Sequence, residues 1–507
     1  MNQRDQQSAA QLRWSVYLLL IAVAVGNMTG RLMAVNSVNR AELEMSLRSR
    51  ALRLVNDKLK EQGLAGQPLQ QAIDEATEQI EQEIHLQRPF LSANDRSRWL
   101  AMRALVEQGT FAIDDLLDRH RWNTIDMVQH QGRDGQPHLY SSKPPLLITL
   151  LAGEYWLIHK ATGMTLESHP YVVGRLMLVT INILPMLLMF VLMALLVEQL
   201  GTTDWGRMLT MATATLGTFL PTYAVVLNNH LIGAVSATVA LYAWVRISSS
   251  DSQRVGYFAL AGLAVAFTAA SELPALALLA MLALELWTCD RRAWWLGFAP
   301  AAAVVVAAFF ATNYAAHQSL RPPYMHRSET DPKDNWYRYT YTLDGVERDS
   351  YWLDRQGIDR GEPSRITYAL HVLIGHHGIF SLTPIWFLSL AGMVLWSWRG
   401  STMERRLAVV TALLTAICLV FFIILRPQPD RNYGGMTSGF RWMFWFAPLW
   451  LATMLPAADW LARSRFGKAL ALILLAASVF SAGYPTWNPW VQPWIYNWME
   501  YCGWQGF

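Results

Sequence analysis

Cysteine is scarce. Cys289, Cys418 and Cys502 are the only three in 507 residues; they stand far apart, match no metal-ligand spacing and give no basis for a disulfide framework. Charge is scarce as well, at 16% of residues, and a formal net charge of +3 is too small on so long a chain to imply a nucleic-acid partner. The arginines fall in short clusters between apolar segments, where they act as topology signals. No repeat relates the two halves, which argues against the paired architecture of many secondary transporters. What the chain has in excess is apolar sequence: 53% of its residues are hydrophobic, gathered in runs such as 172–197, 294–311 and 407–425. Runs of that length reach the roughly 20 residues a helix needs to cross about 30 Å of hydrocarbon.

The pattern therefore predicts an all-α integral membrane protein with about eleven transmembrane helices, each near the length a bilayer requires. The first lies within residues 1–35; the others are 171–199, 207–227, 230–247, 256–270, 273–288, 294–313, 378–398, 406–426, 441–460 and 468–484. The run Val16 to Val25 could be a signal peptide, but its small-residue pair, Ala22 and Ala24, lies inside the apolar stretch, which favours an uncleaved span. Residues 36–144 are too polar for lipid and form a domain, in which 41–87 reads as amphipathic helices broken at Gly63 to Gly66. Pro144 to Ile158 is apolar but short. If it lies at the interface instead of crossing, Arg207, Arg246, Arg254, Arg291, Arg292, Arg399, Arg405, Arg406, Arg463, Arg465 and Lys468 all share the side of Arg4 and Arg13, as the positive-inside rule requires.

The expected organisation is a tail and first span (1–35), an extracytoplasmic helical loop (36–170), a membrane bundle (171–313), a second outer loop (314–377), a second bundle (378–484) and a Trp-rich outer tail (485–507). Trp487, Trp490, Trp494, Trp498 and Trp504 fit an interfacial belt. The N-terminus is then cytoplasmic in a multi-pass protein of the plasma (inner) membrane, and the polar loops face outward.

Several polar residues fall on that outer face. Asp95 precedes a helix, where a carboxylate caps free N–H groups. Lys143 stands before Pro144 and Pro145 at the positive end of the next helix, a place unfavourable for a cation unless an anion such as phosphate lies there. Asn229, His230 and Glu272 fall at connections between spans, where an unpaired buried group costs several kcal/mol; helix capping is the plain alternative for His230 and Glu272. Asn432 to Trp442 is a glycine-rich loop that contains Tyr433 and leads into a span with Arg441 at its mouth, and its glycines allow close backbone approach. That guanidinium either snorkels to the interface or binds phosphate in a bidentate manner.

As a set, these motifs resemble the GT-C-fold glycosyltransferases, the superfamily that includes protein O-mannosyltransferases and lipid A aminoarabinose transferases. Asn94-Asp95 to Trp99, with the helix after it, matches the family's first outer loop. Tyr140 to Pro145 is similar to its Lys-Pro-Pro motif, with Glu154-Tyr155-Trp156 following at a similar distance, and the Tyr433 to Arg441 loop resembles one in bacterial members. The likeness covers most of 88–290 and, more loosely, 375–460. Asn94 replaces one acid of the family's usual pair, Ser142 stands where an acid often precedes the lysine, and the 41–87 insert is not typical.

The resemblance implies a membrane glycosyltransferase that moves a hexosyl or pentosyl unit from a polyprenyl-phosphate-linked donor to an extracytoplasmic glycan, lipid or protein acceptor. It implies Asp95 as the base and Lys143, with Arg441, as ligands of the donor phosphate. Tyr140, Glu154, Asn229, His230, Glu272 and Tyr433 are expected substrate contacts. No metal ligands and no cofactor are indicated. The alternatives are a transporter or lipid flippase without covalent transfer, and a non-catalytic scaffold docking partners through 41–87 and 314–377.

Overall fold

The computed structural model describes residues 3–34, 40–83, 91–117, 122–249, 254–343, 345–485 and 488–504. Residues 84–87 of the amphipathic segment and Trp487 of the tail lie outside them.

Among the described residues, six helices are long and apolar enough to cross a bilayer: Gln7–Ala34, Pro170–Leu200, Asn229–Ser249, Arg291–His317, Thr402–Leu425 and Arg465–Gly483. They coincide with six of the expected spans. The remaining expected spans are not continuous long helices. Asp204–Leu216, Val255–Ser271, Leu276–Cys289, Phe387–Arg399 and Ala447–Leu461 have 13 to 17 residues; 3-10 turns directly precede the last three, and another, Pro221–Val225, follows the first after a break at residues 217–220. Three of those turns, Pro221–Val225, Leu273–Ala275 and Pro384–Trp386, carry a proline in their first two positions, where its missing N–H is harmless but blocks an uninterrupted helix.

Helices approach closely where a glycine faces a neighbouring backbone. A Cβ added at Gly262 would lie 2.3 Å from the Phe298 carbonyl oxygen, and one at Gly392 would lie 1.8 Å from that of Thr453. Small residues at such crossings are how apolar helices associate without a hydrophobic drive between them. At one end of the bundle Arg13 pairs with Glu198 (2.9 Å) and Asp204 (2.8 Å), and Asp459 accepts from the backbone and hydroxyls of Thr202 and Thr203. The other end carries the polar domains.

Helix α1 (Gln3–Ala34) leads to an arm of two helices, α2 (Arg40–Glu61) and α3 (Gln67–Glu83), packed on each other. They turn where Gly63 (φ +79°) and Gly66 (φ +66°) supply left-handed backbone, as the sequence leads one to expect. Helix α4 (Ala93–Glu107) then packs on α5 (Pro145–Thr162), with Trp99, Leu100, Met102 and Tyr155 fully buried. The Tyr155 hydroxyl donates to Glu107 and accepts from the Leu166 N–H, which pins the end of α4 to α5.

An all-α description needs correcting, because the described residues include two antiparallel hairpins. Strands β1 (Met127–Gln131) and β2 (Pro137–Ser141) pair with Met127 opposite Ser141, around a turn containing Asp134 and Gly135 (φ +78°). In the second outer loop β3 (Thr340–Leu343) pairs with β4 (Val346–Asp349). The strands are too short and mixed in polarity to stand out beside the long apolar runs.

Candidate functional site

The first hairpin closes over the start of α5 and decides where two charges go. Ser142 follows β2 and donates its N–H to the Asp126 carbonyl (3.2 Å), so Asp126 and Lys143 leave the hairpin side by side. Ser97 of α4 clamps that base, bonding both the Asp126 carbonyl (2.5 Å) and the Ser141 hydroxyl (2.7 Å). The result is a buried ion pair, with Lys143 Nζ 3.0 Å from Asp126 Oδ2. The negative partner that Lys143 needs at the head of α5 is thus a carboxylate of the protein. Burial lowers the Lys143 ammonium to about 8, against the pull of Asp126. Burial also pushes the Asp126 carboxyl upward, but Lys143, Arg441 and Arg98 together outweigh it and hold the group below its ordinary value.

Beside the pair opens a cavity of about 720 Å³, lined by α4 residues Asn94, Arg96 and Arg98, by Asp126 and Lys143, and by Asn229, His230, Glu272 and Arg441. Its far wall comes from both later outer loops and includes Tyr337, Trp352, Arg426, Asp430 and the backbone of Gly434 and Gly435. Six cations line it against four carboxylates, so its field favours an anionic ligand.

Two of these cations, Arg98 and Arg441, are joined by a continuous belt of hydrogen bonds. Arg98 donates to the Asn94 side chain (2.7 Å) and to Asn229 Oδ1 (2.5 Å), and Asn229 Nδ2 donates to Glu272 Oε1 (2.9 Å). The same oxygen meets His230 Nδ1 at 2.5 Å, while His230 Nε2 meets Arg441 Nη1 at 2.9 Å. A guanidinium can only donate, so Nε2 is the acceptor and the imidazole carries its proton on Nδ1, directed at Glu272. Arg441 is held from its other side by the Gly434 carbonyl, which accepts from Nε (3.0 Å) and Nη2 (2.8 Å). Gly434 has φ +99°, and a Cβ there would come within 3.1 Å of Arg441 Nε; the close approach expected of this glycine loop is made to the protein's own arginine.

Of the residues singled out from the sequence, the cavity brings together Lys143, Asn229, His230, Glu272 and Arg441. Four others lie elsewhere. Asp95 is fully buried and does not line the cavity; one carboxylate oxygen accepts the Leu91 N–H (3.3 Å) and the other has no partner, while Ser92 caps the Asp95 N–H. Burial raises the Asp95 carboxyl to about 7, against Arg96. Tyr140 is buried in β2 and stacks on His130 with centroids 4.1 Å apart. Glu154 is bonded by the Thr180 hydroxyl, and Tyr433 is 1% exposed, behind the glycine loop. Asp126 and Arg98 were missed. The signal for Asp126 was the Asp134-Gly135 turn, from which counting back in register places residue 126 opposite 142.

A second hollow, of about 700 Å³, opens alongside and is almost wholly apolar, lined by Leu150, Leu184, Leu188, Val235, Leu260 and Leu263. Leu146 and Phe267 belong to both walls, so the two spaces adjoin. Among the described residues no group of three His, Cys, Asp or Glu side chains forms a metal-ligand set.

No family model matches the sequence, and no curated protein matches it. Among solved structures the chain is similar to the Archaeoglobus fulgidus oligosaccharyltransferase in its apo form, at 12% identity and a TM-score of 0.42, covering 96% of this chain and 57% of that one. It is also similar to the archaeal oligosaccharyltransferase AglB from Archaeoglobus fulgidus in complex with an inhibitory peptide and a dolichol-phosphate, at 13% identity and a TM-score of 0.37, covering 79% and 52%. The chain spans little more than half the length of either structure.

Proposed function

We propose that the protein is a glycosyltransferase that takes a sugar from a polyprenyl-phosphate donor and passes it to an acceptor hydroxyl or amine. The observation that carries the reading is the meeting of Arg98, Lys143 and Arg441 with Asp126 in one cavity that adjoins an apolar hollow. An isoprenoid phosphate needs that pairing, since its tail stays among apolar side chains while its head meets fixed cations.

The chemistry follows from the placement. The acceptor attacks the anomeric carbon and the bond from that carbon to the phosphate oxygen breaks. Negative charge grows on the departing phosphate, where Lys143, Arg98 and Arg441 are preorganised to receive it. The acceptor proton goes to a carboxylate at the cavity. Asp126 fits that part better than Asp95, because it lines the space and one of its oxygens is not engaged by Lys143. Asp95 is buried against the Leu91 N–H. His230 and Glu272 hold Arg441 in place. By the charge pattern of its loops, the enzyme works at the outer face of the plasma membrane with its N-terminus in the cytoplasm.

The test is lipid mass spectrometry of a deletion strain complemented with wild type or with Asp126→Asn. A polyprenyl-phosphate-linked sugar should accumulate in the deletion and persist with the variant, and its mass names the sugar. Unchanged lipids, together with substrate uptake by vesicles holding the purified protein, would support the transporter reading instead.

A further inference from the structure

Only two non-glycine residues among those described have positive φ, and one is Tyr433 at +58°. L side chains rarely adopt that conformation, and bulky ones least of all. Its ring is enclosed by a cluster that the glycosyl-transfer reading does not use. His377 stacks on it (centroids 5.1 Å, planes 19° apart), His376 meets it edge-on (4.8 Å) and Tyr368 packs at 4.9 Å. His371 stacks in turn on His376 at 3.9 Å.

These imidazoles are not interchangeable with phenyl rings. His376 and His377 are bonded to each other through their Nδ1 atoms (2.5 Å), while the Nε2 of His376 is buried without a partner. Burying such an atom is unfavourable, so a cluster that only filled space would be apolar. The Nδ1 bond fixes the angle between the two rings, and with it the shape of the recess that takes Tyr433. The next residue is Gly434, whose carbonyl makes the two-pronged contact with Arg441. The Tyr433 hydroxyl contributes little, reaching Glu362 only at 3.5 Å.

We propose that His371, His376, His377 and Tyr368 form a socket for the Tyr433 ring, and that this grip sets the Gly434 carbonyl and so aims the Arg441 guanidinium into the cavity. Tyr433 is then a positioning residue acting through Arg441, not a substrate contact. The anionic ligand at Arg441 rests on the function proposed above; the positioning itself does not.

Two readouts keep these apart. The first is the rate at which phenylglyoxal modifies Arg441 in the purified, lipid-free protein, followed by mass spectrometry of the peptide. The rate should be low in wild type and in Tyr433→Phe, and at least fivefold higher in Tyr433→Ala. If Tyr433→Ala does not fold, His377→Ala carries the same expectation, because it removes the stacked floor and leaves the loop sequence intact. An unchanged rate in the folded variants overturns the proposal.

The second readout is binding of polyprenyl phosphate in detergent micelles. Tyr433→Ala should weaken it by the same factor as Arg441→Ala, and the double variant should be no weaker than Arg441→Ala alone. Additive losses in the double variant would mean that Tyr433 acts independently and would overturn the proposal. If phenylglyoxal reactivity rises as expected but Arg441→Ala binds the lipid as wild type does, the donor reading fails and the socket stands.

Discussion

Replacing Lys143 with Met keeps most of the side chain's volume and removes its charge. Lys143 lines the cavity and lies 3.0 Å from Asp126, so the variant loses a charge-assisted contact to a phosphate, worth about 1.5–3 kcal/mol, or roughly 10- to 150-fold in affinity. It also leaves Asp126 buried without its partner, which adds electrostatic repulsion toward an anionic headgroup. The wild type should show a pH signature that the variant lacks. With the ammonium lowered to about 8, about nine-tenths of it is charged at pH 7 and about a tenth at pH 9. Affinity should therefore hold near pH 7 and decline as pH rises through 8, by at most about tenfold per unit. The assay is equilibrium binding of polyprenyl phosphate to purified protein in micelles between pH 7 and 9.5, at constant ionic strength. Lys143→Arg should bind with no decline over that range, because its charge does not titrate there. Wild-type binding that is flat to pH 9.5, or a folded Lys143→Met protein with undiminished affinity, refutes the assignment of Lys143 as a phosphate ligand.

Asp126→Asn should separate binding from turnover, leaving polyprenyl-phosphate affinity unchanged or tighter while cutting transfer by about 10²- to 10⁴-fold, the range typical of a lost general base; equal losses in both would make Asp126 a binding residue only. Asp95→Asn should keep transfer activity, since the amide oxygen can still accept the Leu91 N–H, and abolished activity in a folded variant would restore Asp95 as the base. The folded Asp95 carboxyl lies at about 7 against an ordinary 3.8, so the folded state holds the extra proton in that window and wild-type stability falls relative to Asp95→Asn as pH rises from about 4 to 7. Thermal unfolding across that range reads the trend, and a rising wild-type advantage would contradict it. Trp99→Ala empties a fully buried site between α4 and α5 and should cost about 3–5 kcal/mol, seen as lost expression or a lower unfolding temperature.

Some of the site could be read directly from the chain, because the signal was local. A lysine before two prolines at a helix start, an arginine after a glycine loop, and polar residues at the ends of apolar runs each violate a rule of their immediate surroundings. Lys143, Arg441, Asn229, His230 and Glu272 were found that way, and all five line the cavity. Asp126 and Arg98 violated nothing locally. Asp126 gained its place from a hairpin register and Arg98 from a bond to Asn229, 131 residues away. Tyr433 had the right neighbourhood for the wrong reason, since nothing in its sequence context says that its ring turns into a histidine socket.

The sequence by itself determined that this chain is built from apolar helices with a polar domain inserted after the first, because hydrocarbon thickness and backbone hydrogen bonding leave apolar segments of that length no other option. It also determined where prolines and glycines interrupt those helices. Tertiary structure alone decided that Asp126 faces the cavity while Asp95 is buried against the Leu91 N–H, since the two are alike in sequence and differ only in what surrounds them. It decided, too, that Arg98, Lys143 and Arg441 stand together, because charges from three distant segments converge only once the helices between them have packed.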